Sequence, residues 1–312
     1  MFKKNWVKFI IMVFLFTAVT SPFVVLFGPF NNVKRAVIGA ILQSRHPQYI
    51  TWLFSNDELQ SILGTVGVVK SQDLFKFNAR EDKDLKLEKI ESSRYVGYVL
   101  EIPDPRRIQV ATAANIQEKG DTTSNIAKMN GAVAAINGGG FHDPNGTGTG
   151  RLPYGFILHE GDYIIGKDVG PDESVDFVGF SKSGNLIAGN YDKTELADMK
   201  AMEGITFGPP LIVDGKKMIT DGDGGWGVGP RTAIGQRKDG TVLFVVIDGR
   251  QPGYSLGATL RDVQDVLYEK GAYIAANLDG GSSSTLYLNG KVVNKPADLL
   301  GERMIPTAFI VK

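Results

Sequence analysis

The chain of 312 residues has no cysteine. That absence excludes disulfide frameworks, thiolate zinc sites, iron–sulfur clusters and cysteine nucleophiles together. Histidine is scarce, with only His46, His142 and His159. A histidine-rich metal centre is therefore hard to build. Net charge is also lacking, because 34 basic residues balance 34 acidic ones. A nucleic-acid binder ordinarily carries a basic excess, so that class is excluded. Neither a P-loop nor an HExxH stretch occurs. The spacing Gly222-x-Gly224-x-x-Gly227 matches a dinucleotide pattern but opens no helix, and is rejected. Asp221 and Asp223 hint at calcium without the twelve-residue loop that would hold it. A Ser/His/Asp triad would need His142 or His159, and His159 sits in a hairpin and reads as structural. No metal and no cofactor are expected.

What is present is glycine, 38 residues of it and clustered, and a content of 43% hydrophobic residues sufficient for a packed core. Charge is distributed unevenly. The first 35 residues hold Lys3, Lys4, Lys8, Lys34 and Arg35 and no acid; the first acid is Asp57. Phe9 to Phe27 reads FIIMVFLFTAVTSPFVVLF, 19 residues without a charge. That is near the length that spans a bilayer as a helix. Lys3, Lys4 and Lys8 precede it, which puts the N-terminus in the cytoplasm and the body outside; Lys34 and Arg35 beyond the span oppose that orientation weakly. A cleaved signal peptide is the rival reading, disfavoured by the length of the run and the lack of a small-x-small site. Pro22 is expected to kink the span without breaking it.

Three regions are expected: a tail and membrane anchor at 1–30, a helical and charged stalk at 31–93, and a catalytic-type domain at 94–312. In the stalk, Val33–Leu42 and Pro47–Leu63 read as short helices, with Ser55 and Glu58 as a capping box. From about residue 94, β-branched and aromatic runs alternate with two-residue turns. Glu160-Gly161, Asp214-Gly215, Asp239-Gly240 and Asn289-Gly290 each sit between such runs, and the Asp-Gly and Asn-Gly pairs suit type I′ turns. Helices are expected near Thr122–Met129 and Thr259–Lys270, the second with Leu260, Val263, Val266 and Leu267 on one face and Gly271 as its stop. The fold class is therefore α+β, mainly antiparallel sheet with two or more helices, preceded by one N-terminal transmembrane helix.

A weak internal echo accompanies the helices. Gly131-Ala-Val-Ala-Ala-Ile-Asn-Gly-Gly-Gly140 follows the first, and Gly271-Ala-Tyr-Ile-Ala-Ala-Asn-Leu-Asp-Gly-Gly281 follows the second. Each is a glycine stop, a small-residue strand and a polar residue opening a glycine loop. Backbone N–H groups of such loops can converge on one ligand.

Three stretches could carry chemistry. Asn277-Leu-Asp-Gly-Gly-Ser-Ser-Ser-Thr285 places one carboxylate, two glycines and four hydroxyls after a buried strand. Hydroxyls and free amides suit phosphate or sugar oxygens, and the carboxylate suits proton transfer or charge stabilisation. Arg231 follows a proline-fixed turn and enters a strand, as a rigid base for a two-pronged phosphate grip would; a structural ion pair is the plain alternative. Asp248-Gly-Arg250 closes the apolar strand Val242–Ile247, where a carboxylate lies at the rim of the core; a turn-forming Asp-Gly is the alternative.

In order along the chain, Asn137-Gly-Gly, Gly208-Pro-Pro-Leu-Ile-Val-Asp-Gly215, Arg231-Thr-Ala-Ile-Gly235, Asp248-Gly249 and Asn277 to Thr285 together resemble the phosphodiester glycosidase family, over roughly residues 94–312. The resemblance implies hydrolysis of a sugar-1-phosphodiester at the anomeric C–O bond. It assigns carboxylate roles to Asp279 and Asp248, with Asp279 the stronger candidate, and phosphate binding to Arg231. Asn137, Gly138, Gly139, Thr232, Gly280, Gly281, Ser282, Ser283, Ser284 and Thr285 would orient the substrate. Two departures from the family pattern stand out: Gly140 where an aromatic is usual, and Ser282 where a third glycine is common. The implied partner is a phosphate-linked surface glycan or glycopolymer, met at the outer face of the cell membrane. A non-catalytic glycopolymer-binding or assembly factor is the alternative.

Overall fold

The computed structural model describes residues 2–42, 48–55, 58–59, 69–71, 74–78, 81–143, 148–166, 169–298 and 300–312. Two compact units emerge, one of Met1–Thr65 with Gly222–Gly227, the other of Val66–Asp221 with Val228–Lys312.

The smaller unit begins with helix Phe2–Phe27, which contains Pro22. Its Trp6–Phe27 portion carries no charge beyond Lys8, and none of that stretch is buried within the chain. At 1.5 Å per residue those 22 residues reach about 33 Å, enough for a hydrocarbon layer of about 30 Å. By length and composition the helix can cross a membrane. Helix Asn31–Leu42 follows, and then the short helix Gln48–Thr51. Ile38, Ile50, Phe54 and Leu59 form this unit's small core, joined by Leu26, Ile41, Leu42 and Leu53. Gly39 packs on the backbone of Gly225: a Cβ there would fall 2.1 Å from the Gly225 carbonyl oxygen. The Ser55–Glu58 cap forms as expected, with the Ser55 amide and hydroxyl both donating to Glu58 Oε2 at 2.8 Å. The rest of the helix expected over 47–63 falls largely outside the described residues, as does His46.

The larger unit consists of three sheets around one core. The first runs Lys86–Glu91, Val96–Ile102, Val242–Ile247, Arg231–Arg237, Ala272–Leu278, Pro210–Val213, Lys216–Lys217 in spatial order. The second runs Lys291–Val292, Leu286–Leu288, Ala134–Asn137, Thr307–Val311, Ile108–Thr112. The third runs Asp162–Ile165, Ile157–His159, Ala201–Thr206, Val175–Ser181, Leu186–Tyr191. Pairings among these strands are antiparallel, and all four expected hairpins form. Leu100, Phe244 and Ile274 of the first sheet meet Val110, Ile136 and Phe309 of the second and Ile157, Val178 and Phe180 of the third. Strand Val242–Ile247 is buried along its whole length, which is why its sequence is apolar without alternation.

Helix Thr123–Met129 starts where Thr122 Oγ1 accepts the Asn125 amide, and ends before Gly131 at φ 60°. Helix Leu260–Glu269 is capped reciprocally by Thr259 and Asp262 and buries Leu260, Val263 and Leu267; Val266 is only half-buried. A further helix, Lys193–Asp198, carries a capping box of Asp192 and Glu195.

The boundary expected near residue 94 shifts. The larger unit already begins at Val66, and only Gly222–Gly227 beyond it belong to the smaller one. Lys70 pairs with Glu195, and the Ser71 and Tyr191 hydroxyls meet at 2.8 Å. Phe75 and Leu85 pack on the main core, and Lys86–Glu91 pairs along all of Val96–Glu101. Charge alternation in this stretch marks an edge strand with one wet face rather than a spacer. A soluble fragment starting at Val66 is therefore expected to melt cooperatively. A fragment starting at 94 loses the edge strand and two apolar anchors, and should melt at least about 5 °C lower, at a few degrees per kcal/mol. Equal melting temperatures by circular dichroism would restore the later boundary.

Candidate active site

Strand register assembles the site. Thr232 pairs with Leu278, and Arg231 pairs with Ile247. The next residues in these adjacent strands are Arg231, Asp279 and Asp248, so all three emerge at one end of the first sheet. The second sheet delivers Asn137 to the same place, since Asn137 Nδ2 donates to the Asp279 carbonyl at 2.6 Å. The Asp279 amide in turn donates to the Gly138 carbonyl at 3.1 Å. The two loops of the internal echo are therefore bonded to one another, reciprocally, across two sheets.

Asp279 is the exposed end of this arrangement. Its residue keeps partial access to solvent, while its carboxyl accepts hydrogen bonds from Ser283 and from the Gly280 amide. Burial pushes its pKa up to about 6, against the opposing pull of those bonds and of Arg303 and Arg250. A carboxyl in that range exchanges protons near neutral pH. The loop beyond it is a 3₁₀ turn, Gly281–Ser283, entered by Gly280. A Cβ at Gly280 would fall 2.9 Å from the Pro230 carbonyl and 3.7 Å from Arg231 Nη1, so the glycine is what lets the Arg231 strand approach. Gly281 stands at φ 62°, and the Arg250 guanidinium lies against it.

Arg231 is 5% exposed, and its Nε donates to the Ala258 carbonyl at 3.0 Å. The guanidinium is thus held from behind. Arg250 is exposed and itself sits at φ 58°. Arg303 donates to Ser282 Oγ at 3.0 Å and to Asp143 Oδ2 at 2.5 Å, above the Phe141 ring at 5.0 Å. Arg250 and Arg303 were not anticipated as site residues, although Asp248-Gly-Arg250 was singled out as a stretch. Tyr154 closes another side; burial and the neighbouring Asp279 and Asp143 charges raise its pKa.

Several expected ligand contacts lie beneath the surface instead. Asp248 is 1% exposed, and its carboxylate accepts from Asn294 Nδ2 at 2.9 Å, the Lys295 amide at 3.0 Å and the Tyr254 hydroxyl at 3.0 Å. Asn294 also donates to the Ser284 carbonyl at 3.0 Å. Asp248 is therefore tied through Asn294 to the serine loop. Burial raises its pKa, partly offset by those three donors. Asn137, Thr232, Ser284 and Thr285 are likewise buried. Thr232 Oγ1 and the Thr285 amide both donate to Asn137 Oδ1, at 2.7 and 3.1 Å. The Asn137 and Thr232 side chains thus bond to one another beneath the loop, whereas Ser284 Oγ and Thr285 Oγ1 are buried without a hydrogen-bond partner among the described residues. Gly138 and Gly139 are fixed by Thr307, whose carbonyl and hydroxyl accept their amides at 2.8 and 3.0 Å. Among the described residues, no group of three or more His, Asp or Glu side chains converges as a metal would require.

Gly140, the departure from the family pattern, has a steric reason here. A Cβ would fall 2.7 Å from the Phe207 ring and 2.9 Å from Tyr154. The aromatics come from elsewhere in the chain and fill that space. Gly140→Ala is expected to overpack this contact with Phe207 and Tyr154, at a cost of about 1–3 kcal/mol, and to lower kcat/KM. Adding Phe207→Leu should recover part of both. No recovery in that double variant would show that Phe207 is not the obstacle.

Comparisons place this arrangement among known proteins. A family model described as phosphodiester glycosidase matches residues 130–312. The SPbeta prophage-derived uncharacterized protein YomE of Bacillus subtilis (strain 168) is 32% identical over 197 residues, 61% of this chain and 29% of that protein. The N-acetylglucosamine-1-phosphodiester alpha-N-acetylglucosaminidase of Bos taurus is 25% identical over 203 residues, 59% of this chain and 36% of that protein. The chain thus spans about a third of the length of these two relatives. The fold matches the zebrafish N-acetylglucosamine-1-phosphodiester alpha-N-acetylglucosaminidase catalytic domain auto-inhibited by pro-peptide, with TM-score 0.62 and 21% identity over 78% of this chain and 89% of that one. A hypothetical protein from Synechocystis matches with TM-score 0.51 and 17% identity over 73% of this chain and 62% of that one.

Proposed function

Because the chain belongs to the phosphodiester glycosidase family, we propose that it hydrolyses a sugar-1-phosphodiester, cleaving the anomeric carbon–oxygen bond and releasing a free sugar and a phosphomonoester. The observation that carries this reading is Asp279: a carboxyl that burial holds near pKa 6, in a half-buried residue opening the glycine–serine loop, beside Arg250 and Arg303. Near neutral pH it is mostly ionised, and serves as the base toward water and as the counter-charge to the positive sugar ring of the transition state. The leaving phosphomonoester is stable as an anion, so strong acid assistance is dispensable. Arg231, held through Nε by the Ala258 carbonyl at the same sheet end, is the candidate phosphate-binding arginine. Asp248 acts through Asn294 and the serine loop, as a positioning residue.

The name of the bovine relative makes N-acetylglucosamine the first sugar to test. The apolar Trp6–Phe27 helix supports a single-pass anchor. With Lys3, Lys4 and Lys8 ahead of it, the larger unit faces outward, toward surface glycopolymers.

The test is sugar release from UDP-N-acetylglucosamine or a synthetic sugar-1-phosphodiester by the full chain in detergent. Activity should fall on the acid side with a midpoint near 6, because protonation removes the ionised Asp279. Arg231→Ala should raise KM and lower kcat, and Arg231→Lys should recover only part, since an ammonium lacks the planar fork. Binding without any release would identify a glycopolymer-binding protein instead.

A further inference from the structure

The smaller unit carries exposed aromatics that its own core does not use. Trp52 is 77% exposed and Tyr49 is 62% exposed, while Ile50 and Phe54 between and beside them are buried. Phe30 and Val33 are exposed on the same unit. These residues stand close to the end of the apolar helix. Phe27, its last residue, stacks on Phe54 with ring centroids 5.6 Å apart, and Leu26 packs into the core that holds Ile38, Ile50 and Phe54. Two residues of chain reach at most about 7 Å, so Trp52 is tethered near that end. A headgroup layer is about 5–8 Å deep on each side of the hydrocarbon. Lys34 lies over the Phe54 ring at 5.6 Å, and Arg35 follows it, in a stretch without acid until Asp57.

We propose that residues 31–42 and 48–54 form a collar seated on the membrane surface, with the Trp52 and Tyr49 rings at the headgroup–acyl boundary and Lys34 among lipid phosphates. The occupant of this apolar face is the bilayer itself, because the face is continuous with the helix that crosses it. Tryptophan and tyrosine favour that boundary, with the ring in the acyl margin and the polar atom toward water. Basic side chains beside them favour anionic headgroups. The collar rests on the single-pass anchor reading and adds a second, lateral contact to it.

Depth-dependent fluorescence quenching tests it in the full chain, reconstituted in phosphatidylcholine vesicles containing phosphatidylglycerol. Trp6→Phe with Trp226→Phe leaves Trp52 as the reporter. Its emission should be blue-shifted, quenched more by a spin label near the headgroup than by one near the acyl terminus, and poorly quenched by aqueous iodide. A second protein, with Trp6, Trp52 and Trp226 all changed to Phe and Phe14→Trp added, reports on the span and should be quenched most by the deep label. Trp52 open to iodide and untouched by either label, with the Phe14 reporter quenched at depth, would overturn the collar and leave the anchor standing. Neither reporter quenched by lipid labels would overturn both.

Discussion

Asp279→Asn is expected to lower kcat by about 10²–10⁴ on a sugar-1-phosphodiester, and to make the folded protein more stable at pH 8. The two effects have one cause. In the folded chain burial holds the carboxyl near pKa 6, above its ordinary 3.8. An acid with a raised folded pKa favours the fold while protonated: the benefit is complete below about 3.8 and is lost as pH rises through 6. Ionised Asp279 therefore costs the fold on the order of 2–3 kcal/mol above pH 7. Asparagine keeps the size and the Ser283 bond without the charge. Its melting temperature should exceed that of the unmodified chain by several degrees at pH 8, and the gap should close toward pH 4. Kinetics and melting curves on the same preparation check both halves. Normal turnover in the folded variant would remove Asp279 from the chemistry; a melting gap independent of pH would remove the burial argument.

Asn137→Ala should be the most damaging single change beneath the site. The side chain is fully buried and serves three partners at once: the Asp279 carbonyl, the Thr232 hydroxyl and the Thr285 amide. Each buried partner left unmatched costs about 1–3 kcal/mol. With some relaxation, the loss should be about 3–5 kcal/mol, or roughly 10 °C in melting temperature. Turnover should fall with it, because the Asp279 backbone loses its clamp. Asn137→Asp gives a sharper reading. Its carboxyl keeps both acceptor contacts but can donate to the Asp279 carbonyl only when protonated. That variant should be closer to the unmodified protein at pH 5 than at pH 8. A small, pH-independent effect of both changes would show that the two loops are held by other means.

The sequence carried the strands, turns and caps because these are local. Asp-Gly and Asn-Gly between β-branched runs announced hairpins, and the apolar face over Leu260–Leu267 with Gly271 as its stop announced a helix. The helix Lys193–Asp198 was equally legible from Asp192 and Glu195 but was passed over, being short and polar. Asp279, Arg231 and the Asn137 loop stood out because a carboxylate, an arginine and glycines closed apolar strands. Roles were harder to see than positions. Asp248 looks like a rim carboxylate until Asn294, Tyr254 and the Lys295 amide are seen to occupy it; the two residues 294 and 295 are more than forty positions away. Arg303 had no local mark at all, since its meaning comes from Asp143 and Ser282 in other loops. The edge strand Lys86–Glu91 read as a spacer because its charges face solvent, while the backbone pairing that makes it a strand leaves little trace in composition.

The reciprocal bonds between the Asn137 and Asp279 loops have a consequence for how such a protein can diversify. The Asp279 carboxylate is registered by strand ends that share one core, and the clamp that steadies its backbone is drawn from the second sheet. Among the described residues, the segments that rim it, 141–143 with 148–154 and 250–256, join that registration through Asp143, Tyr254 and Ser255. Changes of length or charge elsewhere in these segments are expected to leave the Asp279 backbone in place. On the proposed reading, transplanting one rim segment between relatives should move preference for the group beyond the phosphate while leaving hydrolysis of a minimal sugar phosphodiester unaltered.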